Sequence, residues 1–389
     1  MNTHPHGRLT VTLCRDLPDF ADLAPEWEAL HRRCPTATPF QSHAWLHSWW
    51  LSYGTPGRLR VVLARRGRRL IGAAPLMLVH RPMPLLVPMG GAISDFSDIL
   101  VDGEDTRAAV TALERGLHRA AAHTVVDLRE VRPDASAHLL FEAWSGARSS
   151  RADSTCMELP AEPIDALIGR MTGSRAQRAR AKLRRIDALG IECRSVPVHR
   201  VAGAIGTMLR LHELQWLGKG VTPEHLRPRF CAHLVRSARR MVRDGEASVR
   251  EFLLDGEVVA ADLSFRSAQL TGGYLYGADP RLRERKVDVS SMLLRELARE
   301  SGAGQGRGVL SLLRGSERYK NHWGPVPVVN QRLLLARSSL EPLLRLRETQ
   351  MTVRDRAAES VKSRFPGARD WRGLLSQLPE AGLAALGRG

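Results

Sequence analysis

A run of three short β patterns in the second half of this 389-residue chain most constrains its fold. The three patterns cover residues 247–254, 258–265 and 270–277. The first two are joined by Asp255-Gly256, a dipeptide typical of tight hairpin turns. A helical pattern at 291–300 and another strand pattern at 309–313 follow. An antiparallel meander that leads into a strand–helix–strand unit predicts a mixed α/β domain.

The first half of the chain repeats this mixture of strand and helix patterns. Two alternating apolar runs, 59–64 and 70–78, flank a basic turn and predict a β-hairpin. At roughly 150 residues per domain, the length indicates two domains. We therefore expect mixed α/β domains at residues 1–165 and 166–335, followed by a helical C-terminal extension at 336–389.

Charge is distributed unevenly along the chain. Residues 1–165 contain 18 Lys/Arg and 19 Asp/Glu, whereas residues 166–389 contain 40 and 22, so the whole excess behind the net charge of +17 lies in the second half. A general preference for arginine would affect both halves alike. The asymmetry predicts that the second half meets an anion, which is a nucleotide cofactor, a nucleic acid or a membrane surface.

Composition and motifs exclude several classes of protein. With 43% hydrophobic residues the chain has a globular composition, and it contains no apolar run of the roughly 18 residues that cross a bilayer. The polar start does not resemble a signal peptide, so we expect a cytoplasmic protein. The five cysteines and fourteen histidines lack the spacing of metal ligands, and no metal is expected.

The segment before the 291–300 helix has the residues of a phosphate site. Its cations are Arg283, Arg285 and Lys286, and Ser290 and Ser291 stand where the helix is expected to begin. Backbone N–H groups at a helix start, the helix dipole and nearby cations together suit a pyrophosphate. A helix cap beside a solvated loop explains the same residues, and both interpretations stay open at this point.

Seven stretches of the sequence occur in an order that resembles one family. They are FQSHAW…WW (40–50), IGAAPL (71–76), SDFSD (94–98), LHELQW (211–216), DGEVVAA (255–261), YLYGADP (274–280) and LRGSERYKNHW (313–323). The set resembles acyltransferases of the GNAT superfamily that are associated with cellulose biosynthesis (CelD-like), which are related to FemAB-type transferases. The resemblance covers about residues 8–335.

The resemblance implies two tandem GNAT-like folds, the second of which transfers an acyl group from acyl-CoA to an amine. The matching positions are Trp216, Asp255, Gly256, Tyr276, Asp279, Arg314, Gly315, Glu317, Tyr319 and Lys320. Two places depart from the family pattern. Asp288-Val289-Ser290 stands where Ser-Pro-Gly is usual, and Ser311 replaces an aspartate. Both departures concern the backbone that a pyrophosphate would approach.

Amine attack on a thioester needs a base for the amine, a polarised carbonyl and a proton for the thiolate. Glu317 or Asp279 is the expected base. Tyr319 or Tyr276 is the expected proton donor to sulfur.

The remaining matching residues are expected to bind rather than to react. Lys320 and Arg314, with Gly315 beside them, are candidates to hold phosphate or an acceptor carboxylate. Trp216, His212 and Trp45 are candidates to line the acceptor pocket, and core packing explains each of them equally well.

Two further functions remain open beside acyl-CoA-dependent transfer to a small amine. FemAB-type relatives imply an aminoacyl-tRNA donor, and a helix predicted at 174–186, with six basic residues in thirteen, would suit RNA phosphates. The same six basic residues would also fit a helix whose charged face contacts only solvent. The departures at Val289, Ser290 and Ser311 instead suit a GNAT-like fold that has lost catalysis and binds a partner.

Overall fold

A computed structural model describes residues 7–80, 82–216, 222–302, 308–315 and 320–364. Its contacts divide the chain into two compact units. Unit 1 comprises the described parts of Met1–Thr36, Gly54–Asp153 and Asn330–Gly389, and unit 2 comprises those of Ala37–Tyr53 and Ser154–Val329. These units differ from the expected division at residues 165 and 335 in two respects. Residues 37–53 belong to unit 2, and the described C-terminal residues belong to unit 1.

The described chain forms thirteen strands and twelve α-helices. The strands are β1 (Leu9–Cys14), β2 (Leu59–Arg66), β3 (Arg69–His80), β4 (Pro84–Pro88), β5 (Leu100–Val101), β6 (Val125–Val131), β7 (Ala147–Pro160), β8 (Glu192–Ser195), β9 (Ala247–Leu254), β10 (Glu257–Arg266), β11 (Leu270–Ala278), β12 (Val309–Arg314) and β13 (Val326–Ala336). The helices are α1 (Leu17–Asp22), α2 (Ala24–Arg33), α3 (His43–Tyr53), α4 (Thr106–Ala120), α5 (Ala137–Ala143), α6 (Ile164–Gly169), α7 (Gly173–Ala188), α8 (Val201–Trp216), α9 (Pro228–Arg243), α10 (Arg281–Glu284), α11 (Val289–Gly302) and α12 (Glu341–Arg364).

The two units share one strand pattern. In unit 1 the order is β1-β2-β3-β4-β6-β13, with β4 and β6 parallel and the other neighbours antiparallel. In unit 2 the order is β8-β9-β10-β11-β12-β7, with β11 and β12 parallel and the others antiparallel. The last strand of each unit comes from the other half of the sequence. The expected fold class, two tandem mixed α/β units, is confirmed.

Each unit has its own apolar core. In unit 1, α4 presents Ala109, Leu113 and Leu117 at helical spacing to the sheet. In unit 2, α7 and α11 cover one sheet region with residues such as Leu183 and Leu297. The opposite side of α7 is therefore left for its charged residues.

The parallel strands β11 and β12 pair over only a short stretch. Their register covers residues 270–272 of β11 and 309–311 of β12. Beyond it the pairing of β12 with β7 shifts register, and Leu313 adopts a left-handed backbone with φ of +57°. The Leu313 N–H donates to the Ser311 Oγ, 3.2 Å away, which holds this bulge. The bulge separates β12 from the C-terminal half of β11 and leaves an opening between the two strands.

Helix α8 packs directly on β11 because Gly277 has no side chain. A Cβ at this position would lie 2.1 Å from the Met208 carbonyl oxygen and 2.4 Å from the His212 nitrogen. Any side chain here would push the helix away from the strand. Gly277 thus fixes the place of His212 against β11.

We expect Gly277→Ala to destabilise the protein by about 1–3 kcal/mol, because the added methyl group meets backbone atoms that cannot rotate away. The matched control is Gly203→Ala in α8, the helix that packs on Gly277, where a Cβ meets nothing within 4 Å. This control should be neutral or stabilising by about 0.5–1 kcal/mol. Urea denaturation followed by circular dichroism measures both. Equal effects of the two substitutions would contradict the close packing.

Candidate active site

The opening between β11 and β12 forms a small cavity beneath α11. Its volume is about 80 Å³. Apolar side chains of α11 and β12 supply much of its wall, and its polar lining residues are Asp262, Tyr276, Ser290 and Ser311. The cavity therefore joins two residues predicted for the site, Tyr276 and Ser290, to a buried carboxylate. A carbonyl group placed here would meet hydroxyl donors in a largely apolar surrounding.

The Tyr276 hydroxyl is oriented by α8. Gln215 donates from Nε2 to the Tyr276 Oη at 3.1 Å. Because the hydroxyl oxygen accepts this bond, its own proton can point elsewhere. Tyr276 thus lines the cavity, and its hydroxyl group is held by α8.

Asp262 is the carboxylate of the cavity wall, and it forms a buried ion pair with Arg250. Both side chains are 2% exposed, and the Arg250 Nε lies 3.0 Å from the Asp262 Oδ1, with a second contact from Nη2 to Oδ2. Burial, the largest influence, raises the pKa of Asp262, although the Arg250 charge opposes it. A buried carboxylate with a raised pKa is a stronger base than an exposed one.

Two histidines form a hydrogen-bonded chain behind β11. The His212 Nδ1 donates to the Tyr276 carbonyl at 2.7 Å, so its Nε2 accepts from the His225 Nδ1 at 3.1 Å. Burial lowers the pKa of His212. Burial also lowers the pKa of His225, and together with the neighbouring charge of protonated His212 it brings this pKa to about 4. Both rings are therefore neutral near pH 7. Trp216, 38% exposed, lies with its ring 6.3 Å from His212.

The amino end of α11 is occupied by its own cap. The Asp288 Oδ1 accepts from the Ser291 N–H at 2.9 Å and from the Ser290 hydroxyl at 2.6 Å, and its Oδ2 lies 2.5 Å from the Lys182 Nζ. Burial acts to raise the pKa of Asp288, but Lys182 and the two serine bonds lower it to about 2. A pyrophosphate at this helix end would face an ionised carboxylate. The structure thus shows the cap, and the phosphate site stays a prediction.

The cations of this region lie instead on an exposed surface. We call this the basic surface, and its members are Arg175, Arg178, Arg180, Arg184 and Arg185 of α7 with Arg283, Arg285 and Lys286 of the loop before α11. All eight are exposed. Arg185 joins the two elements, because its Nε donates to the Arg285 carbonyl at 3.1 Å. Two exposed acids, Asp187 and Glu284, leave the surface strongly cationic.

Two other predicted residues, Asp279 and Lys320, form hydrogen bonds to backbone groups. Asp279 accepts from the Arg281 N–H at 2.8 Å and from its Nε at 3.0 Å, which places it at the start of α10. Burial acts to raise the pKa of Asp279, but these Arg281 contacts lower it below its usual value. Lys320 is buried and donates to the carbonyls of Arg314 at 2.8 Å and Gly315 at 3.3 Å. Lys320 therefore holds the end of β12 in place.

Two predicted site residues fall outside the described part of the chain, and Trp45 lies in the core. Glu317 and Tyr319 lie outside the described residues. Trp45 is fully buried in an aromatic cluster, 4.3 Å from the His233 ring centroid and 5.2 Å from that of Phe265. Trp45 is thus packed in the core, and its role in an acceptor pocket stays a prediction.

Sequence reasoning missed Arg250 and Asp262. Their signal is a charged residue inside each of two neighbouring apolar strand patterns. The strands place them directly opposite each other, with Asp262 in register with Arg250. Opposite charges at facing positions of a predicted hairpin would have identified the pair.

Among the described residues, no group of three or more His, Cys, Asp or Glu side chains could hold a metal ion. Of the helices described, none is long and apolar enough to cross a membrane.

A family comparison agrees with the placement of the site in unit 2. Residues 173–321 match the family model of the acetyltransferase (GNAT) domain. This segment is similar to the acetyltransferase (GNAT) domain family. The expected acyltransferase is thereby confirmed, while membership of the cellulose-biosynthesis branch stays a prediction. No curated protein matches the sequence significantly.

Solved structures share the fold of most of the chain around this GNAT domain. FemX aligns with a TM-score of 0.59 at 12% identity, over 82% of this chain and 98% of FemX. A conserved protein of unknown function from Bacteroides thetaiotaomicron gives 0.54 at 12%, over 84% and 100%. L-PGS from Bacillus licheniformis gives 0.51 at 13%, over 85% and 96%. At these identities the likeness concerns the fold alone.

We expect Asp288→Ser to strengthen the binding of coenzyme A at least tenfold. Serine keeps a cap for the Ser291 N–H, removes the carboxylate and frees the Lys182 charge for a phosphate. Isothermal titration of coenzyme A into both proteins measures the change. Asp187→Ser is the control, because it removes an exposed acid at the C-terminal end of α7. Tight binding by the wild type that the Asp288 substitution weakens would contradict a blocking role.

Proposed function

We propose that the GNAT domain transfers an aminoacyl group from aminoacyl-tRNA to an amine. The reacting carbonyl lies in the cavity between β11, β12 and α11, and the carrier's phosphates lie on the basic surface. The observation that carries this proposal has two parts. An acidic residue caps the start of α11, and α7 beside it presents exposed arginines. Asp288 occupies the helix end that would hold a coenzyme pyrophosphate, and eight exposed cations lie on an adjoining surface.

The basic surface has the character of a phosphate-backbone site. Binding of RNA rests largely on Lys and Arg contacts to phosphates spread along the chain, which need a stripe rather than one pocket. Helix α7 supplies the stripe, because its apolar side holds Ala179 and Leu183 in the core and turns the arginines outward. The resemblance to FemAB-type transferases implies the same donor. The fold shared with FemX is compatible with this donor.

The chemistry proposed for the cavity uses two of its side chains. The amine nitrogen attacks the ester carbonyl carbon, a carbon–nitrogen bond forms, and the bond from carbon to the ribose oxygen of the tRNA breaks. Asp262 takes the amine proton, and the Tyr276 hydroxyl gives a proton to the departing oxygen. The tyrosine then recovers a proton from solvent and Asp262 releases the amine proton to solvent, so both groups return to their starting states and no covalent acyl-enzyme forms.

A second candidate donor is acyl-CoA, favoured by the match to an acetyltransferase domain. This donor needs the same base and acid, with the proton delivered to sulfur instead of oxygen. Its phosphates would have to bind away from the Asp288 carboxylate, and the cations at Arg283 and Arg285 are the available partners. The acceptor is proposed only as an amine, near the half-exposed Trp216.

Tyr276→Phe should lower the single-turnover rate of transfer about 100-fold and leave donor affinity unchanged, because only the proton-donating hydroxyl is lost. Release of a labelled aminoacyl group to glycinamide measures the rate. Tyr274→Phe is the matched control, since the Tyr274 ring stacks on Phe265 at 4.9 Å in the aromatic cluster. Full activity of Tyr276→Phe would remove this residue from the mechanism.

The double substitution Arg178→Ala and Arg184→Ala should weaken tRNA binding and make its salt dependence shallower. Each lost phosphate contact lowers the slope of log affinity against log salt by about 0.7–0.9. Filter binding between low and physiological salt measures this slope. Arg239→Ala, an exposed arginine on α9, is the control. A slope that is flat in the wild type, or equally reduced by the control, would refute the RNA-binding role.

A further inference from the structure

A second concave site lies in unit 1, away from the acyltransferase cavity. Strand β1 and helix α4 enclose a cavity of about 300 Å³. Its lining residues are Arg8, Leu9, Thr10, Val11, Ala112, Arg115 and Arg119. This volume falls at the lower end of the range for small-molecule pockets.

Three arginines face this cavity without a counter-charge. In the part of the chain that the structure describes, Arg8, Arg115 and Arg119 form no ion pair and no side-chain hydrogen bond. The lining among those residues contains no carboxylate. The nearest acid along α4, Glu114, accepts from the Ser145 hydroxyl at 2.7 Å and lies 3.3 Å from His118. Three positive charges therefore share one concavity in which the described residues place no anion.

Several other arginines of unit 1 have acidic partners. Arg33 and Arg69 bind Asp102, and Arg66 binds Asp105. Three arginines that line one concavity and have no such partner among the described residues indicate a ligand that supplies the negative charge.

The backbone brings the three guanidinium groups to the same place. Arg115 and Arg119 are one turn apart on α4, and Ala112 leaves room on the same helix side. Gly116 allows α4 to approach β1 closely, since a Cβ there would lie 2.6 Å from the Val11 Cγ1. The partial negative charge at the end of α4 amounts to about half an elementary charge, which three full positive charges outweigh.

We propose that this cavity binds a small phosphorylated molecule that carries at least two negative charges. Guanidinium groups match phosphate oxygens with paired hydrogen bonds, and three of them suit a pyrophosphate or a phosphate ester better than a single carboxylate. The site would bind its ligand whether or not the donor of the GNAT domain is aminoacyl-tRNA.

Equilibrium dialysis of the full chain with labelled inorganic pyrophosphate at physiological salt tests the site. The wild type is expected to show saturable binding, and Arg115→Ala with Arg119→Ala should remove one binding site or weaken it at least tenfold. Arg107→Ala, an exposed arginine on the same helix outside the cavity, should leave binding unchanged. Thermal unfolding checks that the double variant folds normally.

Two results would overturn the proposal. One is pyrophosphate binding that is the same in the double variant and the wild type. The other is binding of an acidic hexapeptide or a single-stranded RNA, but not of pyrophosphate, that the double variant loses. That second outcome would assign the arginines to an edge-strand or nucleic-acid contact on β1.

Discussion

The short pairing of β11 with β12 is the constraint on which the site depends. The two parallel strands share only three paired positions, and beyond them the pairing of β12 with β7 shifts register at a bulge where Leu313 is left-handed. A fully paired sheet would fill the space with backbone hydrogen bonds and leave no room for a carbonyl group. The opening instead exposes Tyr276 and Asp262 to one small cavity. The left-handed conformation of Leu313 costs on the order of 1 kcal/mol, which the buried surroundings of that side chain offset.

In unit 2, the start of α11 is capped by an acidic residue, whereas the uncompensated positive charges lie on α7. Asp288 satisfies the start of α11 and pairs with Lys182, so this end is neutralised from within the protein. The arginines of α7 remain exposed to solvent and to any anionic carrier. A buried carboxylate, Asp262, stays beside the cavity only because Arg250 compensates its charge. In the proposed function, the reaction takes place beside the compensated charge of Asp262, and the carrier binds to the uncompensated charges of α7.

Local sequence patterns predicted the elements well, because they depend on neighbours along the chain. The meander at 247–277 is present as β9, β10 and β11, the basic helix as α7, and the helix after the cationic loop as α11. Such patterns could not predict which residues tertiary packing brings into contact. Gln215 meets the Tyr276 hydroxyl only because α8 docks at Gly277, and the exchange of β7 and β13 between the units has no local signal. The role of Asp288 was ambiguous for a different reason, since a cap and an anion site use the same residues.

The most direct test of the central claim is a comparison of donors. Wild-type protein is mixed in single turnover with tRNA carrying a radiolabelled amino acid or with radiolabelled acetyl-CoA, each with the same primary amine. The account predicts that label passes to the amine from aminoacyl-tRNA and that uncharged tRNA competes. Transfer from acetyl-CoA alone, at a rate that tRNA does not affect, would contradict it.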